Sequence, residues 1–179
     1  MNDNNNLVRL RSITIEDTEN IVRWRNNPNV LHNFIDRRPI DAKTHTAWFE
    51  NFVQTGRVAQ FIIVRTDTMQ DVGSTFLRDI DRENGTCEYG IFIGEDDARG
   101  KGVGLSACKA CLLYAFETLK MERVFLRAFS DNIGAIKSYQ NAGFVVEGCL
   151  RKHVVRDAKR CDITLMGILK DEFEQRYRK

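Results

Sequence analysis

Apolar and polar positions alternate over residues 7–13, LVRLRSI, and predict a strand. The period then lengthens. Residues 14–27 open on Thr14 as a candidate N-cap, with Asp17 three residues on and Ile21, Val22 and Trp24 following, and predict a helix that Pro28 breaks. Residues 39–56 predict a second helix, with Asp41 as its cap, Ala47, Trp48, Phe49, Phe52 and Val53 as its apolar positions and Gly56 as its stop. Short β-rich runs over 59–66, 72–80 and 86–94 predict a three-stranded meander joined by DTMQD and RENG turns. A glycine loop and a helix to about Lys120 follow, then a strand over 123–129, a helix over 132–143 stopped by Gly143, and two strands flanking the turn RDAK. The order β-αα-βββ-α-β-α-ββ predicts an α/β fold with one mixed sheet of about seven strands and helices on both faces.

No linker or repeat interrupts this pattern, so residues 1–179 are expected to form a single domain, with the Asn-rich residues 1–6 flexible. The 27 basic and 25 acidic residues leave a net charge of +2, too balanced to favour nucleic acid or a membrane surface as partner. The start MNDNNNL shows no signal peptide, and no apolar run approaches a membrane span, which points to a cytoplasmic protein. None of the five cysteines has zinc-site spacing, and no metal is expected. Cys108 and Cys111 form a C-x-x-C pair but fall on the apolar stripe of a helix, where free cysteine is core.

The stretch DARGKGVGLSACKACLLYAF, residues 97–116, places Gly100, Gly102 and Gly104 directly before a helix. Leu105 follows Gly104, so the Gly-Lys-Ser/Thr of a P-loop is missing. Gly102, Gly104 and Ala107 match a dinucleotide fingerprint, but seven residues separate the preceding strand from the loop, and the motif stands after an antiparallel meander. A third reading remains. Successive glycine N–H groups at a helix N-terminus form an anion nest suited to a pyrophosphate, with Arg99 and Lys101 adding charge.

Arg99-Gly100-Lys101-Gly102-Val103-Gly104 resembles motif A of the GNAT superfamily of N-acetyltransferases, and Asn132-x-x-Ala135-x-x-x-Tyr139-x-x-x-Gly143-Phe144 is similar to the family's motif B. The resemblance runs from residue 7 to about 170. It implies an acetyl-CoA-dependent enzyme in which an amine attacks the thioester directly, on a sheet whose middle strands splay. Residues 99–104 (Arg99, Gly100, Lys101, Gly102, Val103, Gly104) would hold the pyrophosphate, the N–H groups around Ile91 and Phe92 the acetyl carbonyl, and Asn132 the pantetheine arm. Tyr139 would protonate the departing sulfur. Strand alternation puts Glu88 on one face with Gly90, Phe92 and Gly94, where it would take the amine proton or hold the ammonium, the glycines leaving room for substrate.

The segment Trp24-Arg25-Asn26-Asn27-Pro28, with His45 and Trp48-Phe49 downstream, resembles a branch holding ribosomal-protein alanine, spermidine and nucleotide-linked amino-sugar acetyltransferases. NPNV and IDAKTH look most like the pseudaminic-acid pathway type, which acetylates a UDP-linked 4-amino sugar. Trp24, Arg25, Asn26, His45 and Trp48 are then the expected acceptor contacts. Arg23, Arg25, Arg37, Arg38 and Lys43 point to an anionic acceptor over a polyamine. A protein N-terminus and spermidine stand as alternative acceptors, a non-catalytic acetyl-CoA-binding module as a rival class, and a homodimer as the assembly the family suggests.

Overall fold

The computed structural model describes residues 6–177, so the expectation of flexibility falls, for residues 1–5, outside the described residues. Seven strands form one open sheet in the order β1-β2-β3-β4-β5-β7-β6. They are β1 Val8–Ser12, β2 Ala59–Arg65, β3 Asp71–Asp81, β4 Thr86–Ile93, β5 Arg123–Phe129, β6 Val145–Arg156 and β7 Lys159–Leu169. All pairings are antiparallel except β4–β5, which is parallel and contains only Thr86↔Arg123, Cys87↔Val124 and Glu88↔Phe125. Beyond Glu88 the two central strands diverge, and the sheet opens into a V.

The helices cover both faces. On one side lie α1 (Thr18–Asn26), α2 (Pro28–Leu31) and α3 (Ala42–Trp48), packing Trp24, Ile21, Val30 and Phe49 onto Ile62, Val64 and Phe92. On the other lie α4 (Val103–Glu117), α5 (Ile133–Asn141) and α6 (Lys170–Tyr177), where Cys108, Cys111, Leu112 and Phe116 meet Leu77, Val124, Leu126 and Ile168. Cys108 and Cys111 are fully in this core, and burial pushes both thiols up, so they are inert.

Two helices depart from the sequence expectation. Pro28 ends α1 but starts α2, because extended Asn27 caps the new turn by accepting from the Asn29 N–H at 2.9 Å and proline suits a first helical position. The charged C-terminal stretch forms α6, anchored by Phe173, whose ring packs tilted against Phe116 with centroids 5.1 Å apart. Asp41 caps α3 as expected, accepting from the Thr44 N–H at 2.7 Å. α3 widens into a π-helical turn over Phe49–Val53, which Gly56 stops at a φ of +73°.

Candidate active site

The V between β4 and β5 is lined by unpaired backbone. Gly94 donates its N–H to Val72 O at 2.8 Å, so the even-numbered residues of β4 exchange hydrogen bonds with β3. Tyr89, Ile91 and Ile93 therefore turn their main-chain groups toward the opening. Arg99 takes the Ile93 carbonyl with Nε at 3.1 Å and Nη2 at 2.9 Å. Ile91 is left as the residue whose N–H and C=O face the gap. Phe92, expected beside it, directs its main chain to β3 and its ring against Trp24 and Phe34.

α4 begins at the same end of the V. Gly102 occupies its N-cap position at a φ of +79°, a conformation that disfavours side chains, and no side chain caps the helix. The first N–H groups of α4 thus point outward with the positive end of a 15-residue helix behind them. A Cβ at Gly100 or Gly104 would meet nothing within 4 Å, and Lys101 is exposed beside them. Val103 is buried beneath the nest. Arg99 differs from expectation: it bonds the end of β4 and Asp96, at 2.7 Å, and braces the loop.

Glu88 lies at the apex of the V, 3% exposed. Arg127 on β5 donates to Oε1 at 2.9 Å and Oε2 at 3.0 Å, and Arg78 on β3 donates to Oε2 at 3.0 Å. Burial pushes the carboxyl up, but hydrogen bonds from Arg127 and Arg78 outweigh it and hold the group below its ordinary value. A carboxylate so stabilised is a poor proton acceptor. The structure places it as the staple that joins three strands where the sheet begins to split. Nor do the glycines on its face leave open room: a Cβ at Gly90 would strike the Phe76 ring at 2.3 Å, and one at Gly94 the Trp24 ring at 2.1 Å.

Tyr139 projects from α5 onto Tyr89 and Phe144, with ring centroids 6.2 and 6.0 Å away. Burial pushes its hydroxyl up, so it stays protonated at neutral pH. Asn132 caps α5, accepting from the Ala135 N–H at 3.2 Å, and its amide donates to Asn33 Oδ1 at 2.9 Å. It therefore links the α5 end of the V to the strap between α2 and α3.

Of the five expected acceptor contacts, four serve packing. Trp24 is 1% exposed, and its indole N–H donates to Glu95 at 2.7 Å. Asn26 exchanges both amide bonds with the Ile40 backbone, at 2.7 and 2.9 Å, and ties the end of α1 to the end of the strap before α3. His45 is 3% exposed, with Nδ1 2.9 Å from Thr18 Oγ1. Trp48 is half-buried, stacks on Phe52 at 4.5 Å and donates to Gln60 at 3.2 Å. Arg25 is different. Its guanidinium lies 3.6 Å over the Phe34 ring, and its buried Nη1 has no hydrogen-bond partner. Burial pulls it down to about 10, with Asp36 the opposing influence.

Residues 8–145 match the family model described as an acetyltransferase (GNAT) domain. The chain belongs to the GNAT acetyltransferase family. It is an acyltransferase with acetyl-CoA as co-substrate, and the uncapped helix end and open strand edge suit a diphosphate and an extended amide arm. It is 24% identical to the uncharacterized N-acetyltransferase p20 of Bacillus licheniformis, over 92% of this chain and 93% of the relative. It is 27% identical to acetyltransferase PseH of Campylobacter jejuni, over 78% of this chain and 86% of the relative. Its fold matches the Vibrio cholerae spermidine N-acetyltransferase in complex with CoA and spermine, with a TM-score of 0.87 at 22% identity over 94% of this chain and 99% of that one. No helix among the described residues is long and apolar enough to cross a membrane.

Sequence reasoning missed Arg78 and Arg127 as the partners of this GNAT carboxylate. Alternation on β5 would have put Arg127 on one face with Phe125, but its meeting with Glu88 depends on strand register. Phe34 was equally silent, since residues 32–38 carry no periodic pattern, and Arg37 was legible only as part of the basic excess, without its partner Asp157.

Proposed function

We propose that this GNAT enzyme acetylates the free amine of a nucleotide-linked amino sugar. The observation that carries the acceptor class is Arg25: a half-buried guanidinium on an aromatic ring, one nitrogen of which is buried without a partner. A desolvated cation gains most from an anionic ligand, and a polyamine would add repulsion. The wider excess of basic residues contributes less, because Arg23 pairs with Glu95 at 2.6 Å, Arg38 with Asp36 at 2.5 Å and Arg37 with Asp157 at 2.8 Å.

In this reading the N–H groups at the start of α4, at Gly102, Val103 and Gly104, hold the diphosphate of acetyl-CoA. The Ile91 N–H faces the thioester carbonyl and stabilises the oxyanion. The amine attacks that carbonyl carbon, and the C–S bond breaks as the tetrahedral state collapses. Tyr139 donates its hydroxyl proton toward the leaving sulfur. Glu88 keeps the V in shape, and the amine proton leaves through solvent. Asn132 orders the arm's side of the cleft through its bond to Asn33. Two copies are expected to meet along β6, an edge strand with Val145, Val146 and Val155 about half exposed.

Release of CoA thiol, followed with Ellman reagent, tests the acceptor. The arms are a UDP-4-amino-4,6-dideoxy sugar, an Ala-starting peptide, spermidine and no acceptor. Acceptor-dependent release with the nucleotide sugar is expected. Release with spermidine or the peptide instead would overturn the acceptor and leave the donor site untouched.

A further inference from the structure

The strap between α2 and α3 holds a second unsatisfied guanidinium. Arg37 Nη1 donates to Asp157 Oδ1 at 2.8 Å, whereas its Nε is buried without a hydrogen-bond partner. Binding through Nη1 leaves the Nε/Nη2 edge, the fork that grips a phosphate in two parallel bonds. The Asn26–Ile40 bonds tie the end of α1 to the end of the strap, and Arg25, next to Asn26, is near enough to Asp36 to feel its charge, so Arg25 stands at the root of the segment that carries Arg37. Asp36 relieves neither: its carboxylate is held by Arg38 through Nε at 2.9 Å and Nη2 at 2.5 Å.

Asp157 lies far along the chain, in the two-residue turn between β6 and β7. Asp157 and Ala158 have φ of +51° and +61°, the left-handed pair of a tight hairpin turn built without glycine. The carboxylate so presented also has His32 Nδ1 at 3.9 Å. Arg156, beside it, lies over Phe129 and pairs with Asp131, so the root of the turn is held as well. Two buried donor nitrogens, one on Arg25 at the end of α1 and one on Arg37 in the strap, the second held by a carboxylate, suit an anionic partner with oxygens in more than one direction.

We infer that Arg25 and Arg37 form a clamp for a diphosphate group of the acceptor, and that Asp157 is the residue that positions Arg37 in it. This rests on the anionic-acceptor reading above and deepens it, from an anion to a diphosphate gripped from two sides. The same chemistry exists in CoA, so the test separates the two sources.

UDP is titrated by calorimetry into protein already saturated with CoA, using wild type, Arg37→Ala and Asp157→Asn. Asparagine tolerates the left-handed turn, so the second variant keeps the fold while removing the charge. One UDP site is expected with CoA in place. Its affinity should fall about tenfold or more in Arg37→Ala and severalfold in Asp157→Asn, as for loss of a charge-assisted hydrogen bond. CoA affinity and unfolding temperature should stay unchanged, and Arg37→Lys should recover only part of the loss. UDP binding only in the absence of CoA, or equal affinity in all variants, overturns the clamp. Failure of the acceptor reading looks different: the nucleotide sugar is then not acetylated although UDP still binds through Arg37.

Discussion

Glu88 and Tyr139 stand at the same opening and are moved in opposite directions. Two arginines hold the carboxylate ionised, and apolar rings keep the phenol protonated. The alternation of CEYGIFIG predicts which face Glu88 takes, and the structure agrees. Its ion pairs were illegible, because they join side chains 10 and 39 residues away through registers that no local period encodes. In the proposed mechanism the phenol is the proton donor to the leaving sulfur. Tyr139→Phe keeps the ring that packs on Tyr89 and Phe144 and deletes only the proton donor. The rate of thiol release at saturating substrates should drop roughly tenfold or more, with CoA affinity retained. An unchanged rate would leave Tyr139 as packing alone.

At the scale of elements, the start of α4 matters most. The alternating glycines were readable because a nest needs residues without side chains at set positions, and Gly100 and Gly102 occupy left-handed ones. Gly102→Val adds a branched side chain where φ is positive and where the helix N–H groups point out. Its only near neighbour among described atoms is Leu7 Cδ1 at 3.2 Å, so the burden falls on the backbone and on the ligand side. CoA affinity by calorimetry is expected to drop at least about tenfold, the loss of one or more charge-assisted bonds to phosphate. Unaltered affinity in a folded variant would remove the loop from the donor site. α2 and α6 escaped the sequence reading for different reasons. α2 is a single turn, too short to show a period. α6 rests on Phe173 and Tyr177, a pair four residues apart on an otherwise charged stretch, and that spacing was the available signal.

The whole molecule is a sheet that is continuous at one end and divided at the other, and each face carries its own helical layer. The layer of α1–α3 depends on His45, whose Nδ1 meets Thr18 while its buried Nε2 has no partner. Burial pulls this imidazole below its ordinary value, and the nearby charge of Asp17 opposes that only in part. Protonation would place a cation and an unsatisfied N–H in the layer. The unfolded chain binds that proton more readily, so stability is present above the ordinary histidine value and is lost as pH falls through the lowered one. Carboxylates act in a separate, more acidic window: Asp17 and Glu88 are both held down by their arginines against burial, and their contribution is lost only below the usual carboxylate range. Between about pH 7 and 5, urea midpoints should therefore shift downward for the wild type, with a slope of at most about 1.4 kcal/mol per pH unit for one proton. His45→Gln should flatten that slope while leaving the acid limb in place. A slope that persists in His45→Gln would assign the proton to another group and leave His45 as a neutral packing residue of the α1–α3 layer.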